Sequence, residues 1–142
     1  MSPAITGISH VDLSVTDLRA SVAWYTDLLG MVPLFGGRNE AFAYDVQYLI
    51  EPASGVIMGF EQHDGNPGSA FDERRVGLDH LSFNVDSREE LDAWLARLDE
   101  LGASHSGITE EDNWDVLVCR DPDNIQLEFF LLKLDPDSIL PG

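Results

Sequence analysis

The feature that most constrains the fold is an internal repeat, seen when the sequence is compared with itself after a shift of 70 positions. Several residues then fall on identical ones, namely Gly7 on Gly77, His10 on His80, Val15 on Val85, Trp24 on Trp94 and Phe60 on Phe130. Self-similarity at a fixed period indicates a repeated structural unit. The sequence therefore predicts one module at about 7–62 and another at about 77–132, joined by a polar linker at about 63–76 and followed by a tail at 133–142.

Each module shows the same order of elements. The first strands, 7–15 and 77–85, alternate apolar and polar residues, and an amphipathic helix follows each one. The remaining strands are predicted at 32–37, 41–49 and 55–62, and at 104–109, 114–120 and 125–132. A chain of 142 residues suits a single domain, residues 1–142. The predicted fold class is α+β, with two βαβββ modules related by an internal pseudo-twofold and curved sheets that form a cleft.

Helix boundaries also follow from sequence signals. Thr16 or Asp17 can cap the first helix, and Ser87 with Glu90 forms a capping box for the second. Gly30 and Gly102 are predicted to end the two helices. The apolar stripes of the helices are predicted to consist of Leu18, Val22, Tyr25 and Leu29 in the first, and of Leu91, Leu95 and Leu98 in the second.

Two histidines and one glutamate are the candidate metal ligands. His10 and His80 occupy matching strand positions, and Glu128 lies in a strongly apolar strand, where an unpaired carboxylate is costly to bury. Two imidazoles and one carboxylate suit Fe(II), Mn(II), Ni(II), Co(II) or Zn(II). Met58 is 48 positions after His10, as Glu128 is after His80, so it is predicted to occupy the fourth symmetric place. A thioether binds such ions poorly, so three protein ligands are expected.

Strand parity predicts the residues that surround this centre. Tyr44, Tyr48 and Glu61 are candidate catalytic groups for proton transfer. The predicted substrate pocket is lined by Asp12, Met58, Phe60, Trp114, Val116 and Phe130. An aromatic lining suits a flat, oxygenated ligand that chelates a metal through two oxygens, although the same residues could be plain core. His63 and His105 lack this context and are expected at the surface.

Composition excludes several classes of partner. The net charge of −18 disfavours binding to nucleic acid and to anionic membranes. No run of 18 apolar residues could span a bilayer, and the N-terminus lacks the features of a signal peptide. Cys119 is the single cysteine, so no internal disulfide is expected, which favours a cytoplasmic location. The expected partner is a small molecule.

Three stretches resemble the vicinal oxygen chelate superfamily, which contains glyoxalases, bleomycin resistance proteins and dioxygenases. They are ISHVDLSVTDLRASVAWYTDLLGM, GLDHLSFNVDS and DPDNIQLEFF. The resemblance implies metal-binding places at His10, Met58, His80 and Glu128, on the first and last strand of each module. A methionine at position 58 argues against the glyoxalase I reaction, and it also makes the methylmalonyl-CoA epimerase reaction a weaker prediction. The resemblance also implies a homodimer.

Two families that keep a His, His, Glu set match only in part. Fosfomycin thiol transferases need cations around a phosphonate, for which the candidates are Arg38, Arg74, Arg75 and Arg120. Type I extradiol dioxygenases need a further histidine that the sequence does not place. The first prediction is therefore a metal-dependent lyase, isomerase or ring-cleaving dioxygenase. The alternative is a bleomycin-resistance-type protein that sequesters a drug without chemistry.

Overall fold

The computed structural model describes residues 2–138. The chain divides into two compact units, Met1–Ser69 and Ala70–Gly142, with the division inside the predicted linker. Each unit contains one four-stranded sheet and one long helix, which confirms the predicted α+β class and the two βαβββ modules. Organisation as a single domain stays a prediction, and residues 139–142 of the predicted tail lie outside the described residues.

The first unit contains one helix and a sheet with strand order β1-β4-β3-β2. Its elements are β1 (Val11–Ser14), α1 (Leu18–Leu29), β2 (Val32–Asn39), β3 (Tyr44–Ile50) and β4 (Ile57–His63). Strands β1 and β4 pair in parallel, because the chain crosses from β1 to β4 through the helix and the β2–β3 hairpin. The other pairs are antiparallel.

The second unit repeats this topology with strand order β5-β8-β7-β6. Its elements are β5 (Leu81–Asn84), α2 (Arg88–Glu100), β6 (His105–Glu110), β7 (Trp114–Arg120), β8 (Gln126–Leu132) and a short 3-10 helix at Pro136–Ser138. Within residues 2–138, no helix has the length and apolar character needed to cross a membrane.

The helix termini show how local sequence sets the element boundaries. Asp17, not Thr16, caps α1: its Oδ1 accepts a hydrogen bond from the Ala20 N–H at 3.0 Å. Ser87 caps α2 by accepting from the Glu90 N–H at 3.1 Å, while the Glu90 carboxylate accepts from the Asp86 N–H at 2.9 Å. These bonds satisfy N–H groups that the first turn of a helix leaves without partners.

Each helix packs on one face of its sheet through aromatic contacts. Tyr25 of α1 packs on Phe60 of β4 with ring centroids 4.6 Å apart, and Trp94 of α2 stacks on Phe129 of β8 at 4.3 Å. In α1 the buried position is Leu28, whereas the predicted Leu29 is only half-buried. The three-residue step from Tyr25 keeps Leu28 on the sheet side, as helical geometry requires.

Strand pairing corrects the predicted match between the last strands of the two modules. Val11 pairs with Met58, while Leu81 pairs with Leu127, so the shift between modules is 69 positions in this region and not 70. The counterpart of Glu128 is therefore Gly59. Because a slip of one residue moves a side chain to the opposite face of a sheet, the fourth-place prediction for Met58 is wrong.

Candidate functional site

The face of each sheet opposite its helix, here called the open face, carries the polar candidates. In the first unit, strand pairing aligns Asp12, Gly59, Tyr48 and Phe35 in one row across the four strands. The adjacent row contains Ser14, Glu61, Val46 and Gly37. In the second unit, Ser82, Glu128 and Val118 form the row that corresponds to the first of these.

Asp12 is the centre of a hydrogen-bonded group in the first unit. The Tyr48 hydroxyl donates to Asp12 Oδ2 at 2.7 Å, and His10 Nε2 lies 3.7 Å from Asp12 Oδ1. The hydrogen bond to this carboxylate, together with partial burial, raises the pKa of Tyr48 to about 12. Tyr48 therefore stays a hydrogen-bond donor at neutral pH.

Gly59 leaves the space that this group needs. A Cβ atom built on Gly59 would lie 2.4 Å from Asp12 Oδ1 and 2.6 Å from Tyr48 Cε1, both far inside van der Waals contact. The side chains of Asp12 and Tyr48 thus meet over Gly59, where β4 has no side chain. At the equivalent point of the second unit, Glu128 carries its own carboxylate.

Glu61 and His63 extend the polar group along β4. Burial raises the pKa of Glu61, and the adjacent Asp12 raises it further, whereas His63 acts in the opposite direction. His63 Nε2 lies 3.5 Å from Glu61 Oε2, and its ring packs on Tyr44 with centroids 5.0 Å apart. The sequence placed His63 in the linker, but it ends β4 instead. Its parity with Glu61 was the signal that could have placed it on the open face.

His80 and Glu128 are brought together in the second unit. His80 Nε2 lies 3.5 Å from Glu128 Oε2, and Ser82 donates to the same oxygen at 3.2 Å. His80 Nδ1 lies 2.7 Å from Asp79 Oδ1. Since a carboxylate can only accept, Nδ1 carries the proton in the neutral ring, and Nε2 keeps its lone pair. Both histidines lie one residue before a strand, whereas the sequence predicted them inside one.

The remaining predicted pocket residues divide between the two faces. Trp114 and Phe130 stack on the open face of the second sheet with centroids 6.0 Å apart, and Val116 pairs with Phe130 across β7 and β8. Met58 and Phe60 are completely buried on the side of α1, so their prediction as pocket residues is wrong. The alternation along β4 puts Gly59 and Glu61 on the open face instead.

The remaining histidine of the second unit, His105, is hydrogen-bonded to Asp99, with 2.6 Å between His105 Nε2 and Asp99 Oδ1.

The donor set of the second unit fits a divalent metal ion. A neutral imidazole whose Nδ1–H is held by a carboxylate, with Nε2 directed towards a glutamate, is an arrangement typical of metal-binding histidines. Within residues 2–138, no three His, Cys, Asp or Glu side chains are grouped so that together they could hold a metal ion. His80 and Glu128 are thus the pair of candidate ligands that the second unit brings together.

Comparison with known proteins places this fold in a family. Residues 7–129 match the Glyoxalase/Bleomycin resistance protein/Dioxygenase superfamily. The chain belongs to this superfamily. A domain of the same superfamily from Frankia sp. EAN1pec, described as a glyoxylase/bleomycin resistance protein/dioxygenase domain, is 39% identical to it. The match covers 91% of this chain and 93% of that one, with a TM-score of 0.84.

Other similar proteins have names that state an activity. A probable lactoylglutathione lyase of Vibrio parahaemolyticus is 24% identical over 132 residues, covering 89% of this chain and 91% of the relative. The fosfomycin resistance protein FosX of Listeria monocytogenes shares the fold at 19% identity. One of its structures, a mutant complexed with Mn(II) and 1S,2S-dihydroxypropylphosphonic acid, has a TM-score of 0.68 and covers 97% of this chain and 100% of that one.

Proposed function

We propose that the protein is a metal-dependent enzyme that binds a small oxygenated substrate through two neighbouring oxygens at a divalent ion. The observation that carries the proposal is the pairing of His80 Nε2 with the Glu128 carboxylate at 3.5 Å, while Asp79 holds His80 Nδ1. His10 is the proposed third ligand. FosX, a more distant relative, has been solved with Mn(II), which makes Mn(II) the first ion to test.

The bound ion would supply Lewis-acid chemistry by polarising substrate oxygens. This chain's own residues would position the substrate and move protons. The Tyr48 hydroxyl donates its one proton to Asp12, so its oxygen can accept a hydrogen bond from a substrate hydroxyl. Glu61, whose pKa is raised by burial and by Asp12, is the proposed proton-transfer group.

The first and last strands, together with the residues just before β1 and β5, supply three candidate ligands instead of four. Gly59 stands where the second unit has Glu128, so β4 has no ligand at the corresponding place. This supports a centre with more positions open to substrate and water than a four-ligand site would have. The proposed reaction class is a lyase, isomerase or dioxygenase reaction on a chelating substrate, and the partner is a small molecule.

Metal binding tests this proposal directly. Purified protein should bind one divalent ion per chain from Mn(II), Fe(II), Ni(II), Co(II) or Zn(II), and His80→Ala or Glu128→Gln should weaken that binding at least tenfold. His105→Ala is the matched control, because it removes a histidine of the same unit that is bonded to Asp99, and it should bind metal as wild type does. Wild-type binding in the two ligand variants would contradict the proposal. A metal-free protein that tightly binds an aromatic drug would support sequestration instead.

We also propose that the protein is a homodimer. Several large apolar side chains near the starts of β1 and β5 are mostly exposed, namely Ile5, Ile8, Val76 and Leu78. Within each unit the two residues lie close together in the sequence, and exposed apolar patches are typical of association surfaces. Light scattering should give a mass of twice 15.7 kDa, and a monomer mass at micromolar concentration would contradict the proposal.

A further inference from the structure

The end of β4 brings an imidazole next to a carboxylate on the open face of the first sheet. Glu61 and His63 are two positions apart on this strand, so their side chains lie on the same face. His63 Nε2 lies 3.5 Å from Glu61 Oε2. The Glu61 side chain is only 18% exposed, whereas that of His63 is 41% exposed. A mostly buried carboxylate therefore has a more exposed imidazole as its neighbour.

Contacts from neighbouring residues hold His63 in this position. Its ring packs on Tyr44, which pairs with it across β3 and β4, with ring centroids 5.0 Å apart. The Tyr44 hydroxyl accepts a hydrogen bond from Asn39 Nδ2 at 3.1 Å. The backbone carbonyl of His63 accepts a hydrogen bond from the Asn66 N–H at 3.1 Å. Because its ring and backbone are already placed, His63 loses little conformational entropy when its imidazole contacts Glu61.

The groups around Glu61 act on its proton in opposite directions. Burial favours the protonated form and raises the pKa of Glu61, and the carboxylate of Asp12 on β1 raises it further. Glu61 is also close enough to Tyr48 on β3 to contribute to the raised pKa of that hydroxyl. His63 acts the other way, because a positive imidazolium favours the carboxylate form of Glu61.

The carboxylate that follows His63 in the chain already has a stronger partner. Both oxygens of Asp64 accept hydrogen bonds from the Arg38 guanidinium, at 2.7 and 2.8 Å. These bonds are the main reason that the pKa of Asp64 is lowered, and His63 adds a smaller part. Arg38 also lies 3.6 Å from a carboxylate oxygen of Glu40 and from one of Asp45. Glu61 is thus the carboxylate that the His63 ring itself contacts.

We propose that His63 is a positioning residue for Glu61, and that its positive charge favours the ionised carboxylate and so makes Glu61 a proton acceptor. This inference rests on the proposed function, since Glu61 is the proton-transfer group named there. Histidine typically changes its charge between about pH 5 and pH 8. As the imidazole gains its proton, the carboxylate form of Glu61 is favoured. Glu61 therefore remains an acceptor at a lower pH than burial and Asp12 would allow.

Carbon-13 NMR of the side-chain carboxyl groups tests the proposal in metal-free, full-length protein. The Glu61 signal is the one that disappears in Glu61→Gln, and its titration midpoint is followed against pH. His63→Gln should raise this midpoint by at least about 0.5 pH unit, roughly a threefold gain in proton affinity, because a neutral amide replaces the imidazolium. An unchanged midpoint in His63→Gln would overturn the proposal.

A second variant separates the charge of His63 from its packing. His63→Lys loses the ring but keeps a positive charge, and it should return the Glu61 midpoint to the wild-type value or below it. A purely steric role would give the same midpoint in His63→Lys as in His63→Gln. That result would overturn the proposal.

His105→Gln is the matched control. It makes the same change at a histidine of the second unit that is bonded to Asp99, and it should leave the Glu61 midpoint at the wild-type value. An equal rise in this control would assign the effect to the net charge of the protein and contradict a role specific to His63. Thermal unfolding verifies the fold of each variant. Mn(II) binding should be the same in His63→Gln as in wild type, so a failure of the metal proposal and a failure of this one give different results.

Discussion

The two units have matching helix-facing sides and different open faces. Phe60 and Phe129 occupy equivalent places in β4 and β8, and each packs on an aromatic residue of its own helix. On the open face, the carboxylate is on the first strand of the first unit, as Asp12, and on the last strand of the second, as Glu128. The difference teaches that the core face determines the fold and leaves the chemistry of the other face free to vary.

Because the carboxylate lies on the first strand in one unit and on the last strand in the other, His10 and His80 have different surroundings. In the first unit a tyrosine hydroxyl donates to Asp12, and the place opposite is a glycine. In the second unit the glycine and tyrosine are replaced by Glu128 and Val118, and Ser82 donates to the glutamate. The second arrangement suits a metal ligand, whereas the first suits a hydrogen-bonding and proton-transfer group.

The neighbouring rows differ in the same way. Glu61 in the first unit corresponds to Phe130 in the second, because Val15 and Val85 donate to their respective backbone carbonyls. Phe130 stacks on Trp114 in the second unit. The first unit has a carboxylate at this position, and the same row ends at Gly37 on β2.

The largest expected effect tests the equivalence of the core faces. Phe60→Ala and Phe129→Ala should each lower the free energy of unfolding by about 3–5 kcal/mol, because each removes a buried ring and leaves a cavity. Phe42→Ala, at a position 73% exposed, should change it by less than about 0.5 kcal/mol. Denaturant unfolding measures all three. If only one of the two core variants is destabilised, the two core faces are not equivalent.

The next effect tests the difference between the open faces. Gly59→Ala should destabilise the protein by about 1–3 kcal/mol, because the new methyl group overlaps Asp12 and Tyr48. Gly65→Ala is the control, since a Cβ atom there would meet nothing within 4 Å. The triple variant Asp12→Ser, Tyr48→Val, Gly59→Glu copies the row of the second unit and should recover stability relative to Gly59→Glu alone. Failure to recover would show that the two rows are not interchangeable.

The smallest effect concerns the hydrogen bond from Tyr48 to Asp12. Because the folded pKa of Tyr48 is raised to about 12, its contribution to stability is complete below the ordinary pKa near 10 and is lost as the pH rises through about 12. Tyr48→Phe should therefore cost about 0.5–1.5 kcal/mol at pH 8 and less at higher pH.

Ultraviolet absorbance of tyrosinate measures the same hydrogen bond. Wild-type protein should show a tyrosine that ionises at about 12, and Tyr48→Phe should lose the contribution of that tyrosine. Asp12→Asn should bring it closer to 10, because the charged acceptor is gone. A transition that does not move in Asp12→Asn would assign the raised pKa to burial alone.

Much of the fold could be predicted because its signals are local. Asp17, Ser87 and Glu90 set helix starts by hydrogen bonds within one turn, and Gly30 adopts the left-handed conformation, with φ 66°, that ends α1. The alternation of apolar and polar residues identified the faces of β1 and β5. The strand ends were predicted less well, because Gly7–His10 have the alternation of a strand but no partner in the sheet.

The site was predicted less completely because it depends on pairing between distant strands. A shift of 70 positions matched Met58 with Glu128, and hydrogen-bond register showed that the true counterpart is Gly59. His63 was missed for a related reason: the length of β4 is set by its pairing with β3, which places His63 opposite Tyr44. No local pattern reports that register.

By itself, the sequence determined the repeat, the order of elements and the cap of the second helix, and it proposed His80 and Glu128 as candidate metal ligands. Only the tertiary structure decided which side chains share a face: Asp12 with Tyr48 over Gly59, Glu61 with His63, and Met58 and Phe60 in the core. The physical reason is the two-residue period of a strand, in which one position of register exchanges the buried face for the open one.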